Sequence, residues 1–214
     1  QVASSISTPL FCFGGNATVN VSASGGTAPY SGTGAFQQAA GTTTYYVTDA
    51  NGCLDSTTIT VTQPTQLVAS VTQTSNILCF GGTATVSVTA VGGTPNYNGT
   101  GTFTVSAGIN NFNVTDNYGC LATTSINISQ PTLLVANSTI VSPILCNGGN
   151  AAVNVSASGG TPAYTGIGNY TVIAGTNTYT VTDANGCTAN TTITVTQPAV
   201  LQAVATITPP IVCN

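Results

Sequence analysis

Seven cysteines and four aspartates (Asp49, Asp55, Asp116 and Asp183) are the side chains through which this 214-residue chain could do redox, metal or acid–base chemistry. It has no Lys, Arg or His. The usual general bases, Schiff-base amines and commonest metal ligand are therefore missing, and neither catalysis nor a cofactor is expected. Nothing is present to neutralise phosphate, which argues against nucleic acid and anionic lipid as partners. No apolar run approaches the roughly 20 residues of a membrane span, so membrane insertion is not expected.

The cysteines keep a period. Cys12, Cys79, Cys146 and Cys213 stand 67 residues apart, and the first three each open Cys-x-Gly-Gly. Cys53, Cys120 and Cys187 keep the same step, each closing V-T-D-x-x-G-C. Every unit thus has a head cysteine and a turn cysteine 41 residues later, with 26 residues from a turn cysteine to the next head. Self-similarity of this kind marks an array of small modules. Cysteines in register with a structural period predict disulfides and an oxidising compartment. Zinc fits badly, since there is neither a C-x-x-C nor a His.

Two pairings satisfy the period. Joining Cys12–Cys53, Cys79–Cys120 and Cys146–Cys187 staples each module internally. Joining Cys53–Cys79, Cys120–Cys146 and Cys187–Cys213 staples neighbours. The first is the expectation, because each module then becomes an independent stapled unit. Closing a loop of that size stabilises by about 4 kcal/mol in the chain-entropy model.

The aspartates of the turns, Asp49, Asp116 and Asp183, sit where Asp-x-x-Gly could contribute to a calcium site. Each has no second carboxylate beside it, so an Asx-turn capped by the Asp itself is expected over a metal. Asp55-Ser56-Thr57 makes Ser56 a candidate for O-glycosylation. Rows of outward Thr, such as Thr58, Thr60, Thr62 and Thr192, Thr194, Thr196, suggest an ice-binding face or, more simply, β-propensity on a wet surface.

The elements that position these residues are strands. With 42% hydrophobic and 2% charged residues, the chain lacks the high charge of a disordered one. Period-2 alternation predicts strands at Leu67–Val71, Ala84–Ala90, around Phe103, at Asn111–Thr115 and at Thr124–Ser129, separated by Gly-rich turns. Six or seven short strands per unit predict an all-β fold of tandem immunoglobulin-like β-sandwich modules, each with one disulfide. The modules are expected at 1–64 (lacking the start of its first strand), 65–131 and 132–198, with 199–214 opening a further one. The joint Q-P-x-x-L is too short for a flexible tether and reads as stiff.

C-x-G-G, then G-G-T-x-x-Y, then V-T-D-x-x-G-C and a closing T-V-T-Q-P (N-I-S-Q-P in the middle unit) together resemble the SprB-type repeat. That repeat recurs in large surface adhesins of gliding and predatory Bacteroidetes, and the resemblance covers essentially the whole chain. It implies secretion by the type IX system and display outside the cell, for adhesion or motility. The expected function is a structural repeat segment of an extracellular adhesin or filament. Its near absence of charge leaves no self-repulsion to oppose lateral association with copies of itself. A carbohydrate-binding module is the alternative: Tyr30, Tyr97 and Tyr164, if exposed, could stack on surface glycans or on those of target cells.

Overall fold

The computed structural model describes residues 1–206. Cys213 and the end of the expected further repeat lie outside the described residues. Among the described residues there are fifteen strands and no helix, so the all-β expectation holds.

Each period contains five strands. The first has β1 (Val2–Thr8), β2 (Ala17–Ala23), β3 (Gly34–Gln38), β4 (Gly41–Thr48) and β5 (Leu54–Val61). The second has β6 (Val68–Gln73), β7 (Ala84–Val91), β8 (Gly101–Val105), β9 (Gly108–Thr115) and β10 (Leu121–Ile128). The third has β11 (Val135–Ser142), β12 (Ala151–Ser158), β13 (Gly168–Val172), β14 (Gly175–Thr182) and β15 (Thr188–Val195). In every period the first three strands form one antiparallel sheet and the last two a hairpin. The count falls below the six or seven expected. The five placed in the sequence all form, and the stretch after Tyr30 adds a single bridge, Ser31 with Thr48. Gly32 lies there at φ 91°, where a Cβ would press against Tyr46 O, and the ladder resumes only at Gly34.

The alternation read from the sequence sets the core. In β7, Ala84, Val86 and Val88 are buried and Thr89 is exposed. In the first period Ala17, Val19 and Val21 of the three-stranded sheet meet Val47 and Val61 of the hairpin, with Leu10 closing one end. In the third, Ala151, Val153 and Val155 meet Val181 and Val195, with Ile144 in the place of Leu10. Two sheets over one apolar layer make a small sandwich.

The direction of the strands fixes the ends of each module. Cα pairing sets Val2 opposite Ala23, Val21 opposite Gly34, and Thr48 opposite Leu54. The chain therefore begins β1 at the end that carries the Asx turn. It leaves β5 at the other end, where Gly14 N–H of the Cys-x-Gly-Gly loop donates to Gln63 Oε1 at 2.9 Å. The same clasp joins Gly81 to Gln130 at 2.8 Å and Gly148 to Gln197 at 2.9 Å. Sequence reasoning treated that glutamine only as the stop before a proline. Its return at the same place in every period was the available signal.

By packing, the described residues form two units. One joins Gln1–Ser75 with Ala84–Ile128; the other joins Asn76–Thr83 with the chain from Ser129 onward. The head loop of the second period thus packs with the third.

An aromatic pair bridges the two sheets of each module: Phe36–Tyr45, Phe103–Phe112 and Tyr170–Tyr179, with ring centroids 4.9, 5.3 and 4.8 Å apart. Tyr45 O–H donates to Gln38 Oε1 at 3.2 Å. The residues equivalent to Gln38 are Val105 and Val172. Phe112 suits an apolar neighbour, but the buried Tyr179 hydroxyl has no hydrogen-bond partner. An unsatisfied buried hydroxyl costs more than its removal, so Tyr179→Phe should stabilise the chain by about 1 kcal/mol. Tyr45→Phe, which breaks a made bond, should destabilise it by a comparable amount. Urea melts of the two variants would check this, and equal effects of the same sign would contradict it.

Candidate functional site

The V-T-D-x-x-G-C turn is built around its aspartate. Asp49 Oδ1 accepts from Asn51 N–H and Cys53 N–H, both at 2.9 Å, and Oδ2 accepts from Thr27 N–H at 3.1 Å. Asp116 receives Tyr118, Cys120 and Thr94 at 2.9, 3.0 and 2.9 Å. Asp183 receives Asn185, Cys187 and Thr161, all at 2.9 Å. The third donor belongs to the Gly-Gly-Thr turn, so the aspartate ties two loops of the module together. Gly93 explains the second glycine of that motif: its φ is +59°, and a Cβ there would press within 2.6 Å of Asp116 Oδ2.

These bonds are those of an Asx turn. Both oxygens of each carboxylate already face N–H donors, whose hydrogens point where a cation would sit. Among the described residues no group of three or more His, Cys, Asp or Glu is placed to hold a metal. The Asx-turn reading is the one the geometry supports.

The same bonds lower all three pKa values. Cys53 N–H is the leading cause for Asp49, Thr94 N–H for Asp116 and Thr161 N–H for Asp183, with partial burial opposing each. A carboxylate bound by backbone N–H groups resists protonation.

Tyr30, Tyr97 and Tyr164 are half-buried. Tyr30 and Tyr164 rest against the cores of their modules. Their hydroxyls, with that of Tyr97, donate to Gly25, Gly159 and Gly92 carbonyls at 2.8, 2.6 and 2.8 Å. Through these bonds the three tyrosines fasten the Gly-Gly turn.

The disulfides correct the expected pairing. Cys12 is bonded to Cys120 and Cys79 to Cys187, each across 108 residues, with Cα atoms 5.6 and 5.7 Å apart. Among the described residues neither Cys12–Cys53, Cys79–Cys120 and Cys146–Cys187 nor the neighbour pairing is found, and no module there carries a disulfide of its own. Strand direction gives the reason. Cys53 precedes β5, whereas Cys12 lies in the loop clasped to Gln63, just beyond the far end of β5. Eight residues of strand separate those ends by about 27 Å, against the ~7 Å limit for bridged Cα atoms. The head cysteine instead meets the turn cysteine of the next period. Cys53 and Cys146, both predicted to be bonded, are free and exposed.

Each staple sits in a small contact. In the first unit the Phe11 and Tyr118 rings lie 4.6 Å apart, and Cys120 Sγ approaches Phe11 O at 3.3 Å. In the second, Asn185 Nδ2 donates to Leu78 O at 3.0 Å, and Cys187 Sγ approaches the same oxygen at 3.4 Å. Phe13 and Phe80 flank the bonds. The position two residues before the turn cysteine thus carries a ring in one joint and an amide in the other, a variation that gave the sequence reading no pattern.

The outward Thr rows form hydroxyl ladders on the hairpins. Thr42–Thr60 and Thr44–Thr58 pair at 2.8 and 2.9 Å. Thr176–Thr194 and Thr178–Thr192 pair at 3.3 and 3.2 Å. The middle hairpin places Ile109, Asn111, Ser125 and Asn127 at these positions, and Ile109 is 73% exposed. An ice-binding face would need the row to continue; this one breaks. Ser56 is exposed on β5, its N–H bonded to Asp55 Oδ1 at 2.8 Å.

The family model described as SprB repeat matches residues 4–31, the stretch that holds the Cys-x-Gly-Gly and Gly-Gly-Thr turns of the first period. No curated protein matches the chain.

The pH dependence follows from the turns. A lowered folded pKa contributes stability that is present above the unfolded Asp value, near 3.9, and is lost as pH falls through the folded value. With no His in the chain, thermal stability should stay nearly flat from about pH 5 to 8 and fall only in acid, below about pH 4. Asp116→Asn should lower the melting temperature at pH 7, and the gap to the unaltered chain should close toward pH 3. A gap unchanged across that range would show that the carboxylate charge is not what the turn uses.

Proposed function

We propose that the chain is a structural repeat segment of an extracellular adhesin or filamentous surface appendage, without catalysis, whose modules are stapled each to the next and whose faces associate with copies of the same chain. The observation that carries this reading is the pair of disulfides that run from one period to the following one. A staple within a module would serve only its own stability. A staple between modules resists separation of the chain under load, which a tether between a cell and its target must withstand. The match to the SprB repeat supports a cell-surface setting, and persistent disulfides suit an oxidising one. Secretion through the type IX system and a Bacteroidetes source belong to the same reading.

Lateral association rests on the surface. The hairpin faces offer hydroxyls and amides with no charge to repel a neighbour. Weak contacts of about 1 kcal/mol per module add along a repeated face by avidity. Lys placed at the exposed positions Thr60, Asn127 and Thr194 should leave the modules folded, because each side chain points to solvent. It should separate associated chains, more at low salt than at high. Light scattering of both forms across protein concentration would test it. If the unaltered chain stays monomeric at high concentration, it acts as a solitary stalk and lateral assembly is wrong. The alternative, a carbohydrate-binding module using Tyr30, Tyr97 and Tyr164, would be told apart by glycan-array binding of the chain.

A further inference from the structure

The two disulfides overlap along the chain. Cys79 falls inside the ring closed by Cys12 and Cys120, and Cys120 falls inside the ring closed by Cys79 and Cys187. Every peptide bond from Cys12 to Cys187 therefore lies in at least one covalent ring, and those from Cys79 to Cys120 lie in both. The same overlap decides which backbone carries tension. The shortest covalent route from Cys12 to Cys187 crosses to Cys120, runs back along the chain to Cys79, and crosses to Cys187. It contains 41 residues of backbone, the spacing of a head cysteine from its turn cysteine. Strands β7, β8 and β9 lie on that route, whereas β2 to β6 and β10 to β14 lie off it. Two rings that followed one another in the sequence would behave differently, each hiding its own loop whatever the state of the other.

We infer that the staples have a further function as an extension limiter. A pull applied outside Cys12 and Cys187 is carried through Cys12–Cys120, the reversed stretch from Cys120 to Cys79, and Cys79–Cys187. When the modules open under that pull, only the middle stretch pays out, and the strands off the route stay slack. A chain whose backbone is cut once between Cys12 and Cys187 also stays in one piece, because the two sides of the cut remain joined through sulfur. The value of such a limiter to a tether rests on the function proposed above. The limiter itself follows from the two bonds, wherever the chain is displayed.

The test holds the full oxidised chain by its two ends in a force spectrometer until every module is open. Cys53→Ser, Cys146→Ser and Cys213→Ser remove the other thiols, so that no exchange occurs within the chain. Dithiothreitol is then added. Its thiolate attacks one sulfur of a disulfide and expels the other, and its second thiol completes the reduction. Whichever staple goes first, the route lengthens little, because the 67 residues of one period replace the 41 already in tension. The gain is about 26 residues, or about 90 Å at full extension. Loss of the remaining staple releases its whole 108-residue loop, about 370 Å. The expected record is a short step followed by a much longer one, always in that order. Removing one staple beforehand, by Cys12→Ser with Cys120→Ser or by Cys79→Ser with Cys187→Ser, should leave the long step alone. None of these results depends on what the chain adheres to, so failure here and failure of the surface-tether reading are separate outcomes. Two equal steps, a long step before the short one, or a short step that persists when one staple has been removed would overturn the inference.

Discussion

A module with five strands of alternating direction takes the chain in at one end and releases it at the other. Two cysteines placed 41 residues apart then fall at opposite ends of the same module, out of reach of each other. The head of one module faces the turn of the next, and there the bond forms. Much else serves this arrangement. Gln63 and its counterparts hold the head loop in shape, and the aspartates hold the turn in shape. Leu10 and Ile144 anchor the loop by filling the core beneath it.

The consequence for stability is that the periods are not independent. A loop of about 100 residues closed by a disulfide carries roughly 4.7 kcal/mol in the chain-entropy model, large beside what so small a core supplies. The loops closed by Cys12–Cys120 and Cys79–Cys187 also overlap in sequence, so their effects do not simply add. The turn chemistry is electrically quiet: each buried or half-buried aspartate spends its charge on three N–H groups. Outside the turns, Asp55 is the remaining acid, which leaves long faces of hydroxyl and amide.

The strands were legible because Val and Ala alternate with Thr and Ser, and burial in β2, β7 and β12 follows that alternation. The Asx turn was legible from Asp-x-x-Gly. The disulfide partners were not, although their cause is visible in the sequence: five strands, an odd number, put Cys12 and Cys53 at opposite ends. Counting six or seven strands, where five form, hid it. The place of Tyr30, Tyr97 and Tyr164 in the turn was also legible. Their spacing from Gly25, Gly92 and Gly159 is constant, and it serves a bond to those carbonyls.

Because the pairing of cysteines across periods is the claim on which the rest depends, peptide mapping of the oxidised chain under non-reducing conditions is the direct measurement. It should recover a peptide pair joining Cys12 to Cys120 and another joining Cys79 to Cys187. Recovery of Cys12–Cys53 with Cys79–Cys120 would contradict the account, since it would require the two ends of one module to meet.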